Sequence, residues 1–147
     1  MSTSHEPIQI LLVEDSASDA ELTIDALRSA RVLNDVHRVC DGVEALHYLR
    51  RQGAFATAGR PDLILLDLNL PRMSGYELLE VIKQDPDLAV IPVVVLTTSH
   101  AERDILRSYQ LHANCYISKP VALQDFLDVV QEMGNFWLQL VRLPPPP

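Results

Sequence analysis

Leu63-Ile64-Leu65-Leu66-Asp67-Leu68-Asn69-Leu70-Pro71 is the stretch on which the fold turns. Four apolar residues lead into one carboxylate, and a proline soon stops the strand. A run this apolar is covered on both faces, as a central strand of a parallel sheet is. Asp67 then stands at the carboxyl end of that strand, the edge where open α/β sheets hold their ligands. There it reacts, binds metal, or merely starts a turn, and the neighbouring strands have to decide which.

Working outward, Ile8 to Val13 reads as a first strand ending at Glu14-Asp15. Ser16 and Ser18 can cap a helix over Asp19 to Ala30, with Ala20, Ile24 and Leu27 on one face. Val36 to Val39 alternates like an edge strand. Asp41-Gly-Val-Glu44 fits a capping box opening a helix to about Arg51, and a loop runs from Gln52 to Pro61. Beyond Asp67, Ser74-Gly-Tyr-Glu77 is a second box, starting a helix through about Lys83. Pro92 to Leu96 is a fourth strand ending at Thr97. A helix from about Ala101 to Leu111 follows, then a short strand, Cys115 to Ile117, ending at Ser118-Lys119-Pro120. The last helix carries Leu123, Phe126, Leu127, Val130, Met133 and Trp137 at helical spacing.

Strands alternating with helices across short loops give a (βα)5 chain with a doubly wound, mostly parallel sheet. The flavodoxin-like order 2-1-3-4-5 is its simplest arrangement.

Bulk properties narrow the function. The 147 residues suit one domain, and no stretch approaches the ~20 apolar residues of a membrane span. The first seven residues lack the features of a signal peptide, so the expected location is cytoplasmic. Twenty acidic against twelve basic residues give a net charge of −8, and Arg50-Arg51 is the one basic pair, which argues against nucleic acid. Cys40 and Cys115 lack metal-site spacing and are expected as small buried hydrophobes. The five histidines have no ligand spacing and read as solvated or capping groups.

Every strand but the second delivers a polar group to one rim: Glu14 and Asp15, Asp67, Thr97, and Lys119. Any one of them could be a turn residue or a cap. Turns do not explain all five. Three carboxylates together repel one another unless a cation sits among them, and hard oxygen ligands favour Mg²⁺ or Mn²⁺. Lys119 and Thr97 supply a positive charge and a hydroxyl to an incoming phosphoryl group, and Asp67 can become an acyl phosphate. Phosphoryl transfer needs little more than this positioning and charge neutralisation.

From Ile8 to about Glu132 the chain resembles a receiver domain of the two-component response regulator family. The likeness rests on Val-Glu14-Asp15-Ser, Leu-Leu-Asp67-Leu-Asn-Leu-Pro-Arg-Met-Ser-Gly75, Val-Leu-Thr97 and Ser-Lys119-Pro120. The separations, 30 residues from Asp67 to Thr97 and 22 from Thr97 to Lys119, fit as well. The resemblance implies that Asp67 is the phosphoacceptor, and that Asp15, Asp67 and the main-chain carbonyl of Asn69 bind Mg²⁺ with Glu14 nearby, through water. Thr97 and Lys119 grip the phosphoryl oxygens, Tyr116 is the aromatic switch, and Lys119-Pro120 is cis. Glu14 stands where Asp is commoner in the family, and Thr98 where Ala is frequent. Asn69 and Ser99 sit where the family tunes autodephosphorylation.

The expected organisation is a receiver over residues 1–133 and a C-terminal extension with a Pro-rich tail over 134–147, without a separate output domain. The long second loop and the Phe-Trp-Leu ending resemble small single-domain regulators paired with phytochrome histidine kinases. That likeness implies a sensor histidine kinase, of bacteriophytochrome type, as partner. It also implies a homodimer through the fourth helix, fifth strand and fifth helix together with the extension. The protein is then a phosphoacceptor with self-catalysed chemistry only. The alternatives are a Mg²⁺-dependent phosphatase with an aspartyl-phosphate intermediate, and a flavin or nucleotide binder lacking the usual Gly-rich loop after the first strand.

Overall fold

The computed structural model describes residues 7–29, 34–98, 101–102 and 115–132. Five strands, β1 (Ile8–Val13), β2 (Asn34–Val39), β3 (Leu63–Asp67), β4 (Val93–Thr97) and β5 (Cys115–Ser118), form one sheet in the order β2-β1-β3-β4-β5. Every pairing is parallel. β3 is buried at all five positions, as a strand flanked by neighbours and covered on both faces must be.

Alternation along the strands divides the core into two layers. Ile10 and Leu12 of β1, Leu63 and Leu65 of β3, and Val94 and Leu96 of β4 meet Ala20, Leu27 and Phe126 on one face. Leu11, Val13, Ile64, Leu66, Val93 and Val95 meet Leu46, Leu78 and Ile82 on the other. Helix α1 (Ala17–Arg28) and the last described helix (Leu123–Glu132) therefore cover one face, and α2 (Gly42–Leu49) with α3 (Gly75–Gln84) cover the other. Dense burial of leucine and isoleucine in both layers makes truncation costly, on the order of 2–5 kcal/mol for a Leu→Ala change in β3.

Local signals set the boundaries. Ser16 caps α1, accepting from the Asp19 N–H at 3.2 Å, so the helix begins two residues before the expected start. Ser74 and Glu77 form the full reciprocal box of α3. Asp41 completes only one half of its box: Oδ1 accepts from the Glu44 N–H at 2.8 Å, and the carboxylate also meets Arg72. β2 starts at Asn34 rather than Val36, because pairing with β1 holds Asn34 and Asp35 in register despite their polarity. The loop after α2 contains one short 3-10 turn, Gly53–Phe55, whose Phe55 packs edge-on to Tyr48 and His37.

One expectation is corrected. Cys40 is exposed, because it follows buried Val39 and alternation turns it outward. The fourth helix is seen only at Ala101 and Glu102. Its continuation to Leu111, His5, His100 and His112, the side chain of Cys115, and the extension with Phe136 and Trp137 lie outside the described residues. None of the described helices is long and apolar enough to cross a membrane.

Candidate phosphoryl and metal site

Strand order places the ends of β1, β3, β4 and β5 side by side, and there the polar groups converge. Oxygen atoms of Glu14, Asp15 and Asp67 all lie within 4.8 Å of one another. Glu14 is fully buried, Asp67 and Thr97 nearly so, and Asp15 is exposed at the mouth. Lys119 answers the negative charge: Nζ is 2.8 Å from Glu14 Oε1, 3.1 Å from Asp19 Oδ2 and 3.4 Å from Asp67 Oδ2. Its main-chain N–H donates to the Thr97 carbonyl at 2.8 Å, which ties β5 to β4 at the rim. The Lys119-Pro120 peptide is cis, as the motif implies.

The charges pull against one another. Burial pushes the Glu14 carboxyl above its usual range and the neighbouring Asp67 charge adds to this, while Lys119 and the Ser16 N–H oppose it. Burial disfavours the Lys119 ammonium too, but Glu14, Asp19 and Asp67 outweigh that penalty and raise its pKa. Glu14 Oε1 has that ion pair yet no hydrogen bond of good geometry, whereas Oε2 accepts from the Ser16 N–H at 3.2 Å. A buried carboxylate oxygen so incompletely served, among hard oxygen donors only, fits a divalent cation.

Thr97 and Tyr116 share a face of the sheet. Thr97 has the parity of Val93 and Val95, and Tyr116 pairs with Val95 and packs, half-buried, against that same layer. The Asn69 N–H approaches Asp67 Oδ1 at 3.4 Å, a long contact that folds the chain after β3 back toward its own carboxylate. Gly75 has a steric reason to be glycine: a Cβ there would collide with the Asp67 carbonyl oxygen and Leu68 Cα. The α3 start is thus pressed against the backbone that carries Asp67, and the Gly75 N–H donates to the Leu68 carbonyl at 3.0 Å.

Four more residues join the site, and of these only Arg72 falls within a quoted motif, where it has no assigned role. Asp19, an ordinary first-turn acid of α1, is the third carboxylate on Lys119. Arg38 of β2 donates from Nε to the Glu14 carbonyl at 2.9 Å and from Nη2 to the Asp15 carbonyl at 3.0 Å, pinning the acidic turn from the neighbouring strand. Arg72 holds Asp41 by both Nε and Nη2, at 3.0 and 2.8 Å, and so fastens the β3–α3 loop to the α2 start. Its backbone is left-handed, at a φ of 62°, and that double contact offsets the conformational cost. Glu102 links the loops after β3 and β4. Asp19 has a legible local role, whereas Arg38, Arg72 and the Asn69 contact of Glu102 act across long sequence separations.

A hollow of about 390 Å³ opens beside Lys119, lined by Asp19, Leu22, Thr23, Thr98, Pro120 and Val121. Its apolar lip includes Leu22, which is 52% exposed.

Comparison with known proteins places this rim. The family model for the response regulator receiver domain matches residues 10–131. The response regulator Rcp1 of Synechocystis sp. is 48% identical over 141 residues, 96% of each chain. The Mn²⁺-bound form of Rcp1 superimposes with a TM-score of 0.72 over 95% of this chain and 100% of that one. The bacteriophytochrome response regulator RtBRR, 43% identical, superimposes with a TM-score of 0.84 over 96% of this chain and 86% of its own. The phosphorylated cyanobacterial phytochrome response regulator RcpA, 49% identical, gives 0.74 over 95% and 100%. The rim of carboxylates, threonine and lysine and these likenesses lead to one conclusion: this chain belongs to the response regulator receiver-domain family.

Proposed function

We propose that this chain is a single-domain response regulator that accepts a phosphoryl group on Asp67 from a sensor histidine kinase of phytochrome type, in a Mg²⁺-dependent phosphorelay. The observation that carries the reading is the buried pair Glu14 and Asp67, bridged by Lys119 and joined by Asp15. Relatives that are phytochrome response regulators support the choice of kinase.

In the transfer, an Asp67 carboxylate oxygen bonds to phosphorus as the phosphorus–nitrogen bond of the donor's phosphohistidine breaks, its electron pair staying on the imidazole. Lys119 stands 3.4 Å from the nucleophile and meets the arriving charge, and the Thr97 hydroxyl supplies a hydrogen bond to a phosphoryl oxygen. The carboxylates of Glu14, Asp15 and Asp67 and the main-chain carbonyl of Asn69 would hold Mg²⁺. When bound, it neutralises the carboxylates and the developing phosphoryl charge. The hollow beside Lys119 gives the donor an approach with an apolar lip. Thr97, drawn toward the phosphoryl group, leaves room on its face of the sheet for Tyr116 to turn inward. The signal leaves through the face of the fourth helix, β5 and the last helix, where a second copy docks together with the C-terminal extension.

The test is incubation with Mg²⁺ and acetyl phosphate or a phosphorylated kinase. An acid-stable, base-labile acyl phosphate is expected on the wild type and absent from Asp67→Ala. Equal labelling of both refutes the assignment. Sedimentation of the same samples is expected to find a dimer; monomer alone at high concentration sinks that part.

A further inference from the structure

Glu102 is a buried carboxylate that neither the metal set nor the phosphoryl grip uses. It is 8% exposed, and no cation among the described residues pairs with it. Its hydrogen bonds go to two different loops. Oε1 accepts from the Thr98 N–H at 2.6 Å and from the Thr98 hydroxyl at 3.0 Å. Oε2 accepts from Asn69 Nδ2 at 2.8 Å. Capping the fourth helix would account for the contacts with Thr98, but not for Asn69, which belongs to the loop after β3.

The chemistry fixes an orientation. A carboxylate only accepts, so the carboxamide of Asn69 must present its nitrogen to Glu102. The bonds are short, as charge-assisted ones are. Asn69 lies two residues after Asp67 and Thr98 one residue after Thr97, so one buried side chain clamps the two loops that border the phosphoryl site.

We propose that Glu102 is a positioning residue that lengthens the life of the acyl phosphate by keeping the Asn69 carboxamide turned to itself. This rests on Asp67 being the phosphoacceptor. In hydrolysis a water oxygen bonds to phosphorus and the bond from phosphorus to the Asp67 oxygen breaks. The electron pair returns to the carboxylate, and the water's protons leave with the phosphate. A carboxamide free beside that path can hold the attacking water in place, and positioning of this kind raises a rate. Glu102 withholds it.

The experiment uses the full chain, labelled with acetyl phosphate and Mg²⁺, freed of donor, and followed as the label decays. Glu102→Ala is expected to shorten the half-life on the order of fivefold, the size of a coupling between contacting groups. The same change made in an Asn69→Ala background is expected to have no effect. A readout independent of labelling is the proton shift of the Thr98 amide in metal-free protein, which is expected to move upfield in Glu102→Ala. If Glu102→Ala does not fold, Glu102→Leu carries the test with the same sign, because it fills the space and neither accepts from nor donates to the Asn69 carboxamide. An unchanged or longer half-life, or equal acceleration in the Asn69→Ala background, overturns the inference while leaving Asp67 as phosphoacceptor. Absence of label from wild-type Asp67 overturns both.

Discussion

Two hollows of nearly equal volume open at opposite ends of the sheet, about 390 Å³ beside Lys119 and about 400 Å³ beneath α2 and α3. The second is lined by Arg50, Arg51, Arg60, Asp85 and Asp87, and on residue types alone it is the richer in charge. Its charges stay in water: Arg50 is 3.9 Å from Asp85 with its side chain 43% exposed, and the contact of Arg60 among the described residues is with the uncharged Asp87 carbonyl. At the first, one ammonium at 11% exposure faces Glu14, which has no exposure at all. Volume and charge count are therefore poor guides to chemistry. What separates the ends is desolvation of a charge set that does not balance, which leaves a standing demand for another cation or for transferable charge.

The sharpest test removes the ammonium that, among the described residues, meets the carboxylates of both Glu14 and Asp67. Lys119→Met keeps the stem and leaves Glu14 and Asp67 uncompensated. In metal-free protein near pH 7 it is expected to cost about 3–5 kcal/mol in urea unfolding, the size seen when one partner of a buried pair is lost. The sign with pH follows from the raised pKa of Lys119. Its contribution is whole below the unfolded value of 10.5 and fades only as pH climbs through the higher folded value. Divalent cation added to the variant is expected to restore part of the loss. A cost under about 1 kcal/mol, typical of exposed pairs, would erase the distinction between the ends.

That distinction also marks what a sequence can convey. Leu63 to Leu66 announce a central strand because burial on both faces leaves no polar position, and the strand order follows from short right-handed crossovers. Glu14, Asp15, Asp67, Thr97 and Lys119 are legible because each ends a recognisable strand. Arg38 and Glu102 are not, since nothing local distinguishes an arginine on an edge strand or a glutamate in a first helical turn. Their partners lie 24 and 33 residues away, at Glu14 and Asn69, and only folding brings them together. The outward turn of Cys40 has a simpler cause for being illegible. The apolar alternation of β2 is weak, with one fully buried residue in six, so the sequence does not define its phase at the strand end.

Asp41 lies between the extremes, buried itself but paired with an Arg72 side chain that is 59% exposed. Asn at this position still caps α2, so Asp41→Asn removes charge and little else. The loss expected at pH 7 is about 0.5–1 kcal/mol, held down by solvent screening of the arginine. Burial disfavours the Asp41 charge, but the Glu44 N–H and Arg72 outweigh it and hold the carboxyl below its ordinary 3.8. The contribution is therefore present above 3.8 and lost as pH falls through the lower folded value, where variant and wild type should converge. A gap that persists in acid would assign the effect to cap geometry instead.

The smallest effect is expected at the open end. Arg50→Ala removes a guanidinium whose partner needs it little, because Asp85 Oδ1 also accepts from the Asp87 N–H at 2.9 Å and water reaches the rest. The helix termination itself is made by the backbone, with the Arg50 N–H donating to the Leu46 carbonyl, and alanine keeps that bond. Urea unfolding should show a change within about 0.5 kcal/mol, with the labelling of Asp67 unaltered. The comparison with Lys119→Met is then one between truncated cations whose anions differ in access to water. Were Arg50→Ala to cost as much as Lys119→Met, desolvation could not be what sets the two ends apart, and the case for a reactive site at β1 and β3 would have to stand on spacing alone.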